Sequence, residues 1–408
     1  MEPIRCCRSC GEPDLETVLE LGEMPLADAL VPAAAAAEPE ARHPLTVVSC
    51  GKCGLLQLRE TVSPDTLYRR DYPYFSSFLP ALLRHTRANV EELIRERGLG
   101  ASSQVVELAS NDGYLLQYYA RAGVPVLGID PASGPAQAAR ERGIPTREAF
   151  FGLELARALR DEGLAADVIH ANNVLAHVPD LNGFVQGIAQ LLKPEGVASI
   201  EVPHVLELVA GCEFDTIYHE HLCYFSLHAL RELFSRHGLV ISDVRQLTIH
   251  GGSLRLYATH GGRESDAVAR IVEQERSAAL TRADGYRAFA EQVRALRREL
   301  LSLLRELKRD GARIAAYGAA AKGATLVNYV GIGPDLVDFV VDRNAHKHGR
   351  LMPGQRLPIH PPERLLAEQP DYTLLLAWNF RDEVLEQQRA YRQRGGRFIV
   401  PVPWPEIV

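Results

Sequence analysis

Apolar positions along the 408-residue chain change their period several times, and each change marks an element. Between residues 80 and 98 they fall at Leu82, Leu83, Thr86, Val90, Leu93 and Ile94, a three-and-four spacing that predicts a helix ended by Gly98. Short apolar runs follow. Residues 104–109 predict a strand, Ser110-Asn111-Asp112-Gly113 a tight turn, and Tyr114 the start of a helix. Residues 124–129 predict a second strand, closed by Asp130-Pro131. More strands are expected at 167–171, 196–202, 239–244 and 254–258, and a helix starts near Ser226 with Leu227, Leu230, Leu233 and Phe234 as its buried stripe. Tyr286, Phe289, Val293, Leu296, Leu300, Leu303 and Leu307 give residues 277–309 a heptad-like seam. One long helix packed along two domains is expected there. A second series of strands then runs through 313–317, 337–341, 372–378 and 397–402, with a small-residue turn and a helix after the first. Strands alternating with helices predict two doubly wound, Rossmann-like α/β units.

Size and composition narrow the class. A chain this long exceeds one ordinary core, and divisions at 1–75, 76–270 and 271–408 follow the changes of pattern. Charge is mildly negative, 45 basic against 52 acidic residues, which argues against nucleic acid as a partner. No apolar run reaches spanning length, and the first residues lack the regions of a signal peptide, so no membrane partner and a cytoplasmic location are expected. Five of the seven cysteines lie in the first 60 residues. Cys7-Arg-Ser-Cys10 and Cys50-Gly-Lys-Cys53 are two C-x-x-C knuckles, and two such knuckles meeting in space supply the four thiolates that zinc favours. A structural zinc is the expectation, with a redox pair or an iron–sulfur cluster as alternatives. Cys6 could in principle replace Cys7. The Ala-rich run at 33–37 is a loop or a poor helix without a role.

The two α/β units each offer a ligand crevice at strand carboxyl ends. In the first, the turn at 110–113 holds one glycine and not the G-x-G-x-x-G of a dinucleotide site. That favours a ligand without phosphates. S-adenosylmethionine fits, with its ribose on Asp130 and its ammonium met by Glu107 or Asp112; a turn with no ligand is the plain alternative. Asn172, Asn173 and His177 leave a later strand end, and His250-Gly251-Gly252-Ser253 makes a donor-rich turn. In the second unit, Gly318-Ala-Ala-Ala-Lys322-Gly323 is a turn whose backbone amides could cradle phosphate, with Lys322 nearby.

Residues 214–225 concentrate chemistry: Tyr218, His219, Glu220, His221 and Tyr224 within seven positions. Histidine takes a proton near neutral pH, glutamate beside it can orient it, and tyrosine can donate to a developing oxyanion. A metalloprotease helix is excluded, because the second histidine of His-Glu-x-x-His would fall at Cys223. His219 and His221 on one strand face could instead bind a metal, or the stretch could be a polar loop. Its position after the strand ending at Glu201-Val-Pro203-His204 aims it at the first crevice.

Taken in order, the paired knuckles, Tyr72-Pro-Tyr74-Phe-Ser-Ser, Glu107-Leu-Ala-Ser-Asn-Asp-Gly113, Asn172-Asn-Val-Leu-Ala-His-Val178, Tyr218-His-Glu-His-Leu-Cys-Tyr-Phe225, His250-Gly-Gly-Ser-Leu-Arg255 and Tyr317-Gly-Ala-Ala-Ala-Lys-Gly323 resemble the sugar C-methyltransferases of bacterial deoxysugar and antibiotic biosynthesis. The resemblance spans the chain. It implies an N-terminal zinc-binding module, a central class I Rossmann-like S-adenosylmethionine domain, and a C-terminal Rossmann-like domain for a nucleotide sugar, typically a dTDP-4-keto-6-deoxy sugar methylated at C-3. It implies His221 as base with Glu220 beside it, and Tyr218, His177 and Tyr72 or Tyr74 around the reacting face. Glu107, Ala109, Asn111, Asp112, Gly113, Asp130, Asn172 and Asn173 would hold the methyl donor. His250, Gly251, Gly252, Tyr317, Gly318, Lys322, Asp342, Trp378 and Asn379 would hold the nucleotide sugar. Rival readings are an O-methyltransferase, a nucleotide-sugar-binding protein without turnover, and an oxidoreductase, which the single glycine of the first turn disfavours.

Overall fold

The computed structural model describes residues 2–68 and 75–408. Tyr72 and Tyr74 lie outside them, and so does the side chain of His250.

The N-terminal module is an antiparallel sheet of Leu15–Met24, His43–Cys50 and Leu56–Leu58. Its fourth strand, Cys223–Tyr224, comes from the histidine-rich stretch and pairs with Leu56–Leu58. The Leu58 amide also donates to the Leu222 carbonyl, and the Leu222 amide to the Ala176 carbonyl. The stretch is therefore stitched between the cysteine module and the middle domain by backbone bonds that no side-chain change removes.

The middle domain is a seven-stranded sheet ordered Val240–Leu247, Ser253–Thr259, Leu192–Pro203, Ala166–Asn172, Val105–Leu108, Val126–Asp130 and Thr146–Glu148. Leu192–Pro203 to Thr146–Glu148 run parallel, and Ser253–Thr259 is antiparallel to both its neighbours. The order reverses between Val105–Leu108 and Ala166–Asn172, so the crevice opens at their carboxyl ends. Helix Pro80–Arg97 has the expected signals: Pro80 at its start and Gly98 in the left-handed region at its end.

The C-terminal domain repeats the principle. Its sheet runs Ile359–His360, Val340–Val341, Ile314–Tyr317, Tyr372–Leu375, Arg397–Val400 and Glu406–Ile407, parallel except for the last strand. Strands expected at 337–341, 372–378 and 397–402 are shorter, because their ends turn into loops: Trp378–Phe380 is a 3-10 turn. One apolar core passes through all three units, from Leu19 and Leu56 through Ile200 and Phe225 to Leu326 and Ile399.

Of the long helix expected over 277–309, only Arg287–Arg309 is an α-helix; residues 278–286 are turns and a 3-10 segment, and a separate helix, Asp266–Ser277, precedes them. Ala279 takes a left-handed φ of 56°, and Gly285 folds so close that an added Cβ would lie 2.1 Å from the Ala279 carbonyl oxygen. Only glycine permits that approach. Within Arg287–Arg309 the buried positions are Phe289, Ala290, Val293, Leu296, Leu300 and Leu304, with Leu303 and Leu307 only partly buried. The stripe follows the 3.6 period of a straight helix and not the heptad.

Candidate active site

A continuous cavity of about 700 Å³ runs from the carboxyl ends of the middle sheet to the first turn of the C-terminal domain. The two crevices expected from the sequence are thus one chamber. Ala109, Asn111, Asp130, Phe150, Asn172 and Asn173 line one end, His177, Tyr218, Glu220 and His221 the middle, and Ala320, Ala321, Lys322 and Asn379 the other end.

The donor end is built on a strained turn. Ala109 and Asn111 have φ of 56° and 49°, and Asn173 across the crevice has 53°. Left-handed non-glycine residues cost free energy, and such costs gather at binding sites. The turn persists because Asp130 holds it: its two oxygens accept from the Asn111 and Ala132 amides, each at 2.8 Å. Each oxygen keeps a further lone pair for a ribose hydroxyl. Burial pushes the Asp130 carboxyl up to about 6, against the two amide bonds. Asn172 is buried, and neither atom of its side-chain amide has a partner among the described residues. A buried amide without partners is costly unless a ligand completes it. Acid, free amide and the phenyl ring of Phe150 suit the adenosine of S-adenosylmethionine.

Glu107 and Asp112, expected to meet the donor's ammonium, do not line the cavity. Glu107 lies buried behind the turn, held well above the usual carboxylate range by burial, with Asp130 and Asp112 adding to it. Asp112 accepts from Ser77 Oγ at 2.5 Å and Arg142 Nη1 at 2.9 Å, which fastens the Ser76–Phe78 turn over the site. The Ser76 amide adds a 2.8 Å bond to Asn111 Oδ1. Gly113 backs onto Ile144, where an added Cβ would sit 3.0 Å away.

In the middle of the chamber the tautomer of His221 follows from its partners. Its Nδ1 lies 2.8 Å from the Thr216 carbonyl, which can only accept, so Nδ1 carries the hydrogen. Nε2 lies 3.0 Å from the Tyr218 hydroxyl, from which it accepts when the ring is neutral. His177 stacks edge-on against His221 at 4.8 Å, and burial pushes it down to about 4. Glu220 is pushed up to about 8, first by burial and then by the negative charge of Asp28. His219 turns away, with its Nε2 3.1 Å from the Pro44 carbonyl. Among the described residues neither histidine belongs to a cluster of three or more metal-ligating side chains, and 217–222 is not a strand.

At the far end, Lys322 lies over the Trp378 ring at 4.3 Å, and Trp378 Nε1 donates to Asp215 Oδ2 at 2.7 Å. Glu213, pushed up to about 7 by burial, also lines the cavity. Tyr317, Gly318, Asp342 and Trp378 do not line it and form its frame. Asp342 accepts from the Ala319 and Asn344 amides, Gly318 packs on Ala377, and the Tyr317 hydroxyl faces Gln387. Gly252 is at the wall, and Gly251 packs on Glu213. Asp28, Phe150, Glu213 and His204 were missed: each is a single residue in a loop or strand end, with no pattern to mark it.

The four sulfurs of Cys7, Cys10, Cys50 and Cys53 lie within 4.8 Å of one another, with Cys7–Cys53 at 3.6 Å and Cys10–Cys50 at 3.5 Å. Tetrahedral zinc spaces thiolates about 3.8 Å apart, so the cluster fits it. The contact with Cys53 pushes Cys7 down to about 5 and pushes Cys53 up, and a cation at the centre favours thiolate at all four. Cys6 is exposed and outside the cluster. The zinc is structural. Asn182 and Arg236 of the middle domain clamp the knuckle through the Arg8 and Ser9 carbonyls.

Residues 7–68 match the model of a zinc binding domain, residues 78–244 a methyltransferase domain, and residues 248–403 a C-methyltransferase C-terminal domain. The C-methyltransferase NovU of Streptomyces niveus is 36% identical over 411 residues, covering 100% of this chain and 98% of that protein. A ubiquinone biosynthesis O-methyltransferase of Chelativorans is 30% identical over 166 residues, 39% of this chain and 63% of that protein. A magnesium protoporphyrin IX methyltransferase of Synechocystis solved with bound S-adenosylmethionine shares 15% identity over 44% of this chain and 79% of that one, at a TM-score of 0.35. The full-length match and the three consecutive domains identify the chain as a member of the S-adenosylmethionine-dependent C-methyltransferase family, with a structural zinc in its N-terminal module.

Proposed function

We propose that the protein methylates a ring carbon beside the ketone of a nucleotide-linked keto-deoxysugar, C-3 of a dTDP-4-keto-6-deoxy sugar being the specific expectation. The observation that carries this reading is the placement of His221: its Nδ1 lies 2.8 Å from the Thr216 carbonyl, its Nε2 faces the Tyr218 hydroxyl, and the residue lines the middle of one chamber that joins both ligand ends. A ring carbon is nucleophilic only as an enolate, so a base must take its proton. His221 Nε2 takes that proton, the C–H pair becomes the enolate double bond, and negative charge develops on the ketone oxygen. Thr216 holds the resulting imidazolium through the Nδ1 hydrogen. Tyr218, His177 and Glu220 surround the oxygen, with Glu220 as a hydrogen-bond donor while it holds its proton. Bound S-adenosylmethionine supplies an electrophilic methyl group on a sulfonium, whose thioether leaves with the bonding pair. Asp130 and Asn172 hold its adenosine; Asn111 and Ala109 shape the turn beneath its tail. Lys322 and Asn379 meet the nucleotide sugar. In this scheme residues 1–75 brace the histidine stretch, 76–270 bind the donor, and 271–408 bind the acceptor.

The test is mass spectrometry of the acceptor after incubation in deuterated buffer, with and without S-adenosylmethionine. A product heavier by one methyl group, and exchange of one ring hydrogen without donor, are expected. His221→Ala should lose both while still binding the donor. Methylation at a hydroxyl, or full activity of His221→Ala, would overturn the reading.

A further inference from the structure

The histidine stretch is braced from the C-terminal domain as well as from the cysteine module. It opens with a 3-10 turn, Phe214–Thr216, and the last residue of that turn carries the carbonyl that accepts from His221 Nδ1 at 2.8 Å. The Thr216 amide and hydroxyl both bond to the Glu213 carbonyl, at 3.1 and 2.7 Å. Those bonds shape the turn but do not place it in the molecule. Phe214 is fully buried, with its ring 5.3 Å from that of Tyr329. Among the described residues two side-chain hydrogen bonds then join the turn and the residue after it to the C-terminal domain. Thr325 Oγ1 reaches the Ile217 carbonyl at 3.3 Å, and its one hydrogen is shared with the Ala321 carbonyl at 3.5 Å. Trp378 Nε1 donates to Asp215 Oδ2 at 2.7 Å, and Asp215 is fully buried. The second bond is the stronger, being short, unshared and made to a carboxylate. Trp378 itself stays outside the cavity lining, whereas its chain neighbours Ala377, Asn379 and Phe380 line the acceptor end. Lys322, which also lines that end, lies 4.3 Å over the indole ring.

We propose that Trp378 is a positioning residue: its indole N–H, through Asp215, fixes the Phe214–Thr216 turn and with it the Thr216 carbonyl that orients the His221 ring. The use of that ring as base rests on the function proposed above; the link from Trp378 to the ring rests on the bonds alone. The contacts are continuous. Lys322 covers the indole, the indole holds Asp215, Asp215 precedes Thr216, and the Thr216 carbonyl accepts from Nδ1. A carbonyl held in place keeps the ring hydrogen on Nδ1 and leaves Nε2 able to take a proton. A carbonyl that drifts lets the ring turn or adopt the other tautomer, in which Nε2 already carries a hydrogen and is no base. Proton transfer is sensitive to such displacement, because the reacting atoms must meet within hydrogen-bond reach. The series also places the acceptor end and the base on one mechanical element, since Trp378 belongs to the turn that presents Asn379 and Phe380 to the cavity.

Nitrogen magnetic resonance of the full chain labelled in its histidines reads the tautomer without any substrate. The His221 signal is the one that His221→Ala removes. At a pH where the ring is neutral, the wild type should show the hydrogen on Nδ1. Trp378→Phe keeps an aromatic face under Lys322 and removes only the donor. It should move the His221 signal toward the Nε2–H tautomer and lower kcat about 10–100-fold, with affinity for S-adenosylmethionine unchanged. Asp215→Asn keeps an oxygen for the indole and should retain the wild-type His221 signal and most of kcat. Asp215→Leu keeps none and should match Trp378→Phe. Rescue by the asparagine is not expected of a merely structural role. Zinc content and melting temperature report that each variant is folded; if Trp378→Phe does not fold, the two Asp215 variants decide the question. A His221 signal unmoved or a kcat unchanged in Trp378→Phe, or Asp215→Asn as impaired as Asp215→Leu, overturns the proposal. If the signal moves as stated but the wild type methylates no keto sugar, the link stands and the acceptor assignment falls.

Discussion

Glu275 is the buried acid on which the chamber's back wall depends. It sits on helix Asp266–Ser277, fully buried, and accepts three bonds. Its Oε1 receives His204 Nε2 at 2.7 Å and the Leu227 amide at 2.6 Å, and its Oε2 receives the His228 amide at 2.9 Å. Those amides open helix Leu227–Ser235, whose cap also uses Ser226 Oγ on the Ala229 amide. His204 and Val205 line the cavity. Glu275→Gln keeps the shape but offers one acceptor. However the amide turns, it presents its NH2 to at least one backbone donor. A buried donor left unpaired costs about 1–3 kcal/mol, and the surviving bonds lose their charge assistance. A loss of about 3 kcal/mol is expected, or roughly 6–12 °C in the melting transition that includes the middle domain. Urea unfolding and calorimetry, with zinc present, measure it. The control is Glu264→Gln, which breaks a two-pronged pair with Arg231 on the surface nearby and should cost under about 1 kcal/mol. Equal and small effects from the two variants would refute the reasoning that burial, and not the number of bonds, sets the cost.

Two further outcomes follow from the same structure. Cys53→Ser should abolish zinc binding, read by elemental analysis, and with it the N-terminal fold, because metal binding free energy in such sites is folding free energy; Cys6→Ser should bind zinc as the wild type does. His170 is fully buried, bonded to Tyr119, and pushed down to about 3 by burial, with Arg255 adding and Glu201 opposing. It stays neutral in the fold but gains a proton in the unfolded chain below about pH 6.5. Stability should therefore be unaffected above that pH and fall by about 2 kcal/mol by pH 5 on this account, a slope that His170→Asn should flatten in urea titrations at the two pH values.

Much of the fold is legible in periodicity. Helix Pro80–Arg97 lies within one residue of its expected end, because Pro80 and Gly98 act locally. The strands of the middle sheet are short apolar runs separated by helices. The helix Asp266–Ser277 was not seen. Its stripe of Val268, Ile271 and Val272 is short, and its fourth buried position is Glu275, which looks like surface until its three donors are in place. The break at 278–286 is likewise tertiary, since Ala279 and Gly285 are unremarkable apart from their close approach.

What the chain settles by itself is whatever depends on near neighbours: the two cysteine knuckles, the glycine-poor donor turn with its acid one strand later, and the clustering of Tyr218, Glu220 and His221. Spacing along the backbone carries that information, because helix and strand periods are local. What only the tertiary structure decides is which of those groups face one another. Glu107 and Asp112 sit where a donor's ammonium was expected and prove to be buried behind the turn or tied to Arg142. His219 and His221 are two residues apart and point to different partners, Pro44 and Thr216. Asp28 lies 192 positions from Glu220 in the numbering, yet the two line one cavity. Charge–charge coupling, desolvation and tautomer choice all depend on distances through space, and a linear chain holds those distances only after its three units have closed on each other.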